Sequence, residues 1–229
     1  MASFRVNGGT KLKGEITPQG AKNEALQILC AVLLTSEEVI INKIPNIRDV
    51  NKLIELLSDM GVVVKKQGPE SYSFTAKNIK LDYLETEAYL EKASSLRGSV
   101  MLLGPLLSRF GGGRISKPGG DKIGRRRMDT HFTGFQKLGA KFHYDAKKEL
   151  YKIDGSQLKG TYMLLDEASV TGTANIIMAA TLAEGKTTIY NAACEPYIQQ
   201  LCQMINSMGG KITGVGSNLL EITGVKSLK

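Results

Sequence analysis

The feature that most constrains this chain is that it repeats itself. A Met-Gly or Leu-Gly pair recurs at Met60-Gly61, Leu138-Gly139 and Met208-Gly209, so that successive glycines stand 78 and then 70 residues apart. Each pair closes a helical pattern. The apolar positions are Val50, Leu53, Ile54 and Leu57 in the first, Met128, Phe132 and Phe135 in the second, and Ile198, Leu201 and Ile205 in the third. A glycine just past the last turn suits a left-handed helix terminus. Each glycine then opens a strand-like segment, GVVVKKQ, GAKFHYD or GGKITGV, followed by a second, YSFTA, YKIDG or LLEIT. Turn residues lie between them, as in Gly68-Pro69, so hairpins are expected.

Reading backwards from each helix gives a further strand, EVIINKIP, GRISKPGG or TTIYNAA, and before it another helix. That helix carries Leu26, Leu29, Cys30 and Leu33 in the first unit and Ile176, Ile177 and Ala180 in the third. Each unit is expected to open on a strand: KLKGEITP, IKLDYLET and LKGTYMLLDE. The expected architecture is α/β: a β-α-β-α-β-β unit of about seventy residues, present three times. No such amphipathic helix buries its face alone, so the units must share a core with helices inside and sheets around them. An open α/β sheet is the alternative, and the terminal hairpins speak against it.

Counting back from the repeat glycines places Lys22, Arg97 and Ser169 at equivalent junctions between first strand and first helix. About a pseudo-threefold axis these three gather at one end of the domain, each near a helix N-terminus, where free N–H groups favour anions. The loop SKPGGDKIGRRRMDTH belongs to the same end and adds Asp121, Lys122 and Arg126. Arginine forks bind phosphate or carboxylate through two parallel hydrogen bonds. The formal charge of +8 fits an anionic partner, whether nucleic acid, an acidic membrane or a phosphorylated small molecule. No aromatics interleave with the arginines, which argues against nucleic acid. Gly111-Gly112-Gly113 is not a phosphate loop, because no Gly-Lys-Ser/Thr follows. His131 reads as a core or surface histidine. The longest apolar run, Val100–Leu107, is too short to span a bilayer. The start has no hydrophobic signal-peptide core. Three cysteines without ligand spacing, of which Cys30 and Cys202 fall in apolar helical patterns, read as free thiols of a reduced, cytoplasmic protein. No metal site, cofactor, membrane or nucleic-acid partner is expected.

FRVNGGTKLKGEI, GAKNEALQIL, LGPLLSRFGGG, KPGGDKIGRRRMDTH, AATLAEGKTTIYNAA and EPYIQQL together resemble the UDP-N-acetylglucosamine enolpyruvyltransferase (1-carboxyvinyltransferase) family, over essentially the whole chain. GAKN and PGG-x-x-IG-x-R-x-x-D-x-H are its most specific parts. The resemblance implies an inverse α/β prism. It implies transfer of the enolpyruvyl group of phosphoenolpyruvate to the 3-hydroxyl of UDP-N-acetylglucosamine, which opens peptidoglycan synthesis. It assigns Lys22 and Asn23 to phosphoenolpyruvate and the reacting centre, Arg97 to the nucleotide sugar, and Arg126 to phosphoenolpyruvate. It assigns Arg127, Met128, Asp129 and Thr130 to a nucleotide-sugar loop, and Glu167, Ala168, Ser169 and Val170 to the uridine and diphosphate. With Lys22 and Arg126, Asp121 is the catalytic candidate, as the acid that protonates the methylene carbon.

The chain departs from that family in places. The family usually has cysteine at Asp121, although aspartate is a natural alternative, and the cysteine is the residue that fosfomycin alkylates. Lysine is common at Glu167 and proline at Arg127. The family enzyme is about twice as long, with a second three-repeat domain to which residues 1–21 belong, leaving residues 22–229 as the first domain. The chain is therefore expected to be a half that is inactive alone. The shikimate-pathway enolpyruvyltransferase, a non-catalytic UDP-sugar-binding half-domain and a basic nucleic-acid-binding repeat protein remain as rival readings. The loop from Lys117 to Arg127, glycine-bearing and self-repelling, is expected to be mobile without ligand.

Overall fold

The computed structural model describes residues 3–116, 127–146 and 150–229. The first unit comprises helix α1 (Lys22–Ala31), strand β1 (Glu38–Ile41), helix α2 (Arg48–Asp59) and the hairpin β2 (Val63–Gly68) and β3 (Ser71–Thr75). The second adds helix α3 (Glu87–Ser94), a 3-10 turn at Arg97–Leu102 running into α4 (Leu103–Phe110), then β4 (Gly112–Ser116), α5 (Asp129–Lys137), β5 (Lys141–Asp145) and β6 (Leu150–Asp154). The third contains β7 (Tyr162–Leu164), α6 (Val170–Ala180), β8 (Lys186–Tyr190), α7 (Pro196–Ser207), β9 (Lys211–Thr213) and β10 (Leu219–Thr223).

The three sheets repeat one topology. Their orders are β1-β3-β2, β4-β6-β5 and β8-β10-β9, all antiparallel, with β7 added parallel to β8 in the third. The last hairpin strand therefore lies in the middle each time, with Phe74, Ile153 and Ile222 at equivalent buried positions.

Each outer helix ends in the same way. Gly61, Gly139 and Gly209 have φ of 100°, 98° and 93°. Two reverse hydrogen bonds close each terminus. They are Val62 N–H to Leu57 O with Gly61 N–H to Ser58 O, Ala140 to Phe135 with Gly139 to Gln136, and Gly210 to Ile205 with Gly209 to Asn206. This is the two-bond left-handed terminus, and it needs a residue that adopts positive φ without steric cost. The carbonyl before each glycine accepts from the start of the next unit. Lys80 N–H bonds Met60 O, Lys159 bonds Leu138 O, and Lys229 bonds Met208 O. The last contact, with a parallel bridge from Leu228 to Thr35, ties the third unit back to the first.

Helices α1 and α6 are buried almost all round, so they lie inside the molecule rather than along its surface. Each inner element packs on the outer helix of the preceding unit: α1 on α7, the Arg97–Leu102 turn on α2, and α6 on α5. This cyclic pattern builds one shared core and brings the N-termini of the inner elements to one end. Arg109 secures that core from within. Its Nη1 donates to the carbonyls of Leu33, Thr35 and Ala76 at 2.8, 2.7 and 2.8 Å.

Two expected opening strands are corrected. KLKGEITP forms no strand, and residues 3–19 are exposed and in neither helix nor strand, with Phe4 and Leu12 at 95% and 97% accessibility. IKLDYLET instead makes a 3-10 turn at Leu81–Glu85, after which Thr86 caps α3 by accepting from Tyr89 N–H. Leu84, Tyr89 and Ala93 then face the core at helical rather than alternating spacing. Only the third unit has its opening strand, β7. Cys30 and Cys202 are buried thiols, and burial pushes Cys202 up to about 12 and Cys30 up as well. Cys194 is exposed. Among the described residues no helix is long and apolar enough to cross a membrane.

Candidate functional site

Lys22, Asn23, Arg97, Arg127, Ser169 and Val170 line one cavity of about 750 Å³. Its walls come from all three units. Lys22 and Asn23 start α1, Arg97 starts the 3-10 turn before α4, and Ser169 caps α6 by accepting from Gly172 N–H at 3.2 Å. These are equivalent positions in the cyclic packing, and their convergence follows from it. The cavity is rich in basic residues, with Arg48 and Lys52 of α2 adding to its wall.

Two of the cations, Lys22 and Arg127, are engaged by carboxylates. Lys22 Nζ lies 2.8 Å from Asp49 Oδ2. Arg127 reaches Asp129 Oδ2 at 2.7 Å and Asp166 Oδ2 at 3.3 Å, and both carboxylates raise its pKa, the hydrogen bond it donates to Asp129 most. These half-exposed pairs are weak in water and easily exchanged. An incoming phosphate or carboxylate competes for the same forks.

The other expected residues, Met128, Asp129, Thr130, Glu167 and Ala168, do not line this cavity, although Asp129 pairs with Arg127, which does. Met128 precedes α5, and Asp129 begins it. Thr130 is buried, and its Oγ1 lies 3.1 Å from Glu167 Oε1. Glu167 and Ala168 are exposed in the turn before α6, where Ser169 N–H bonds Glu167 O at 2.8 Å. Asp121, Lys122 and Arg126, and with them the mobility expected of their loop, lie outside the described residues.

His131 is neither plain core nor surface. It is buried, yet it lines the cavity. Helix α5 approaches α6 closely at Gly134, where a Cβ would meet Ile176 Cδ1 at 2.3 Å. That approach brings His131 Nδ1 to 3.0 Å from Asn175 Nδ2 and Nε2 to 3.2 Å from Thr171 Oγ1. Burial first, and the charge of Arg97 second, push the His131 pKa down to about 4. Sequence reading also missed Gln27, whose buried amide lines the cavity with neither polar atom bonded among the described residues. Asn23 and Gln27 lie four apart on α1, so helical spacing alone was the available signal.

This architecture and basic cavity define a class of protein. The chain belongs to the EPSP synthase (3-phosphoshikimate 1-carboxyvinyltransferase) family, whose model matches residues 6–229. It is 67% identical over 228 residues to the UDP-N-acetylglucosamine 1-carboxyvinyltransferase of Bacteroides fragilis, covering 100% of this chain and 52% of that one. The enzyme of the same name from Porphyromonas gingivalis is 62% identical over the same shares. The chain thus spans about half the length of the curated relatives it matches. Among solved structures, the enolpyruvyl transferase NikO of Streptomyces tendae superposes with TM-score 0.80 at 19% identity, over 96% of this chain and 51% of that one. An EPSP synthase of Acinetobacter baumannii gives 0.69 at 20% identity, over 94% and 48%. These distant structures establish the fold alone.

Proposed function

We propose that the chain is the first, nucleotide-sugar-binding half of an enzyme that transfers the enolpyruvyl group of phosphoenolpyruvate to the 3-hydroxyl of UDP-N-acetylglucosamine. One observation carries this reading: residues from three repeat units, Lys22, Arg97 and Ser169, converge on one cavity. The names of its curated relatives supply the acceptor. The three repeated sheets around shared inner helices support the inverse α/β prism as its architecture. The exposed segment 3–19, with apolar side chains in water, supports its assignment to a second half.

In this reading Lys22 and Arg97 neutralise the charge of phosphate and carboxylate groups that otherwise repel one another. Addition of the sugar oxygen to the substituted carbon of phosphoenolpyruvate releases the hydroxyl proton to a base, for which the proposed second half is the source, and requires a proton at the methylene carbon. Asp121 is the proposed donor, with Arg126 beside the phosphate. Expulsion of phosphate, with loss of a proton from the new methyl group, restores the double bond. The second half completes the cleft and excludes water, so this chain alone does not turn over.

The test is phosphate release by the complete gene product with phosphoenolpyruvate and either acceptor. Release with UDP-N-acetylglucosamine supports the reading. Release only with shikimate 3-phosphate replaces it with the other branch of the family, and turnover by residues 1–229 alone contradicts the half-enzyme assignment.

A further inference from the structure

The cavity wall contains a hydrogen-bonded chain whose direction the structure fixes. Asn175 sits at the meeting of four elements. Its Oδ1 accepts from Gly104 N–H of α4 at 2.7 Å, and its Nδ2 donates to Val100 O at 2.8 Å. The amide therefore has one orientation, with its NH₂ towards His131. Nδ2 lies 3.0 Å from His131 Nδ1, so Nδ1 accepts and carries no proton. The imidazole is buried beside Arg97 and is held neutral at physiological pH, which leaves its proton on Nε2. Nε2–H then donates to Thr171 Oγ1 at 3.2 Å. Thr171 is exposed and lines the cavity. Because its oxygen accepts from His131, its own hydrogen is directed elsewhere, and the cavity is what it faces.

We propose that the Thr171 hydroxyl donates a hydrogen bond to a diphosphate oxygen of the nucleotide sugar, and that His131 and Asn175 are positioning residues that aim it. The proposal rests on the functional reading above. The acceptor is assigned to the diphosphate because Thr171 lines the same cavity as Lys22 and Arg97, whose positive charges stabilise an anionic group there. A neutral histidine suits this work better than a charged one. It donates in a single fixed direction and adds no second cation beside Arg97 to be desolvated.

The experiment is calorimetric titration of the complete gene product with UDP-N-acetylglucosamine and, separately, with UDP. Thr171→Val keeps shape and removes the donor. A lost hydrogen bond to a charged group predicts ~10-fold weaker binding of both ligands. Thr171→Ser restores the donor and is expected to bind within about 2-fold of the unaltered protein on the same ground. Unchanged UDP affinity in Thr171→Val overturns the proposal, as does failure of serine to rescue. If the unaltered protein binds neither ligand, the functional reading itself falls, and the proposal with it. A measurement that needs no variant tests the positioning role: imidazole ¹⁵N shifts at pH 7. The neutral, Nε2-protonated tautomer of His131 is expected. An Nδ1-protonated or doubly protonated ring overturns the relay.

Discussion

Lys22 on α1 and Asp49 on α2 form a 2.8 Å ion pair in the wall of the cavity, joining the residue that resemblance assigns to phosphoenolpyruvate to a carboxylate that competes for it. Both partners are about two-fifths exposed, so the pair contributes no more than about 1 kcal/mol to stability. We predict that Asp49→Asn leaves the melting temperature nearly unchanged. It should tighten binding of phosphoenolpyruvate, because Lys22 no longer has to exchange one carboxylate for another. Weaker binding in Asp49→Asn, measured by titration, would show instead that the aspartate positions the lysine.

The three repeat glycines share positive φ but not surroundings, and their alanine variants should rank accordingly. At Gly209 nothing lies within 4 Å of a new Cβ, so Gly209→Ala carries only the left-handed penalty of about 1 kcal/mol. At Gly139 the Gln157 carbonyl lies 3.3 Å away, and at Gly61 the Asn78 carbonyl lies 2.5 Å away. Gly61→Ala must also displace backbone, and more than about 2 kcal/mol is expected. Denaturant melts that place Gly209→Ala as the most damaging of the three would refute the ranking.

His131 gives the fold a pH dependence of defined sign. Its pKa falls from 6.5 to about 4 on folding, through burial first and the Arg97 charge second. Between those values the unfolded chain holds a proton that the folded chain does not. Stability therefore rises with pH across this window and is lost as pH falls through it, by about 3 kcal/mol in all. Subtracting the stability profile of His131→Gln from that of the unaltered protein removes the contribution of the carboxylates. A difference that is flat between pH 4 and 6.5 would contradict the assignment.

Position 121, where the resemblance places the cysteine that fosfomycin alkylates, makes a further prediction. A carboxylate is a far weaker nucleophile towards an epoxide than a thiolate. The complete enzyme should therefore retain its activity in fosfomycin, and Asp121→Cys should become sensitive through a covalent adduct. Mass spectrometry of the treated proteins decides it, and an adduct at Asp121 itself would contradict the argument.

What the sequence revealed, and what it hid, follows from which interactions are local. The hairpins and left-handed termini were legible at Gly61, Gly139 and Gly209 because a helix terminus is set by a few consecutive residues. Counting from those glycines also placed Lys22, Arg97 and Ser169 at one end, since the repeat turns sequence distance into spatial equivalence. IKLDYLET was misread because its alternation of polar and apolar residues is strand-like. The Thr86 cap and the burial of Leu84 and Tyr89 against the core decide otherwise. The cavity-wall positions of His131, Thr171 and Gln27 are not legible for a different reason. Their place in the cavity wall depends on how closely α5 meets α6 at Gly134 and Ile176, and on which turn of α1 faces inward. Tertiary packing sets both, and no single segment encodes it.

The most direct measurement is a backbone amide NMR titration of the 229-residue chain with UDP-N-acetylglucosamine. The account predicts saturable shifts centred on Lys22, Arg97 and the Ser169–Gly172 turn, three places far apart in sequence that the repeat brings to one cavity. Shifts centred instead on the groove between β1 and α7, lined by Ile40, Met204 and Lys229, or no saturable shifts at all, would contradict it.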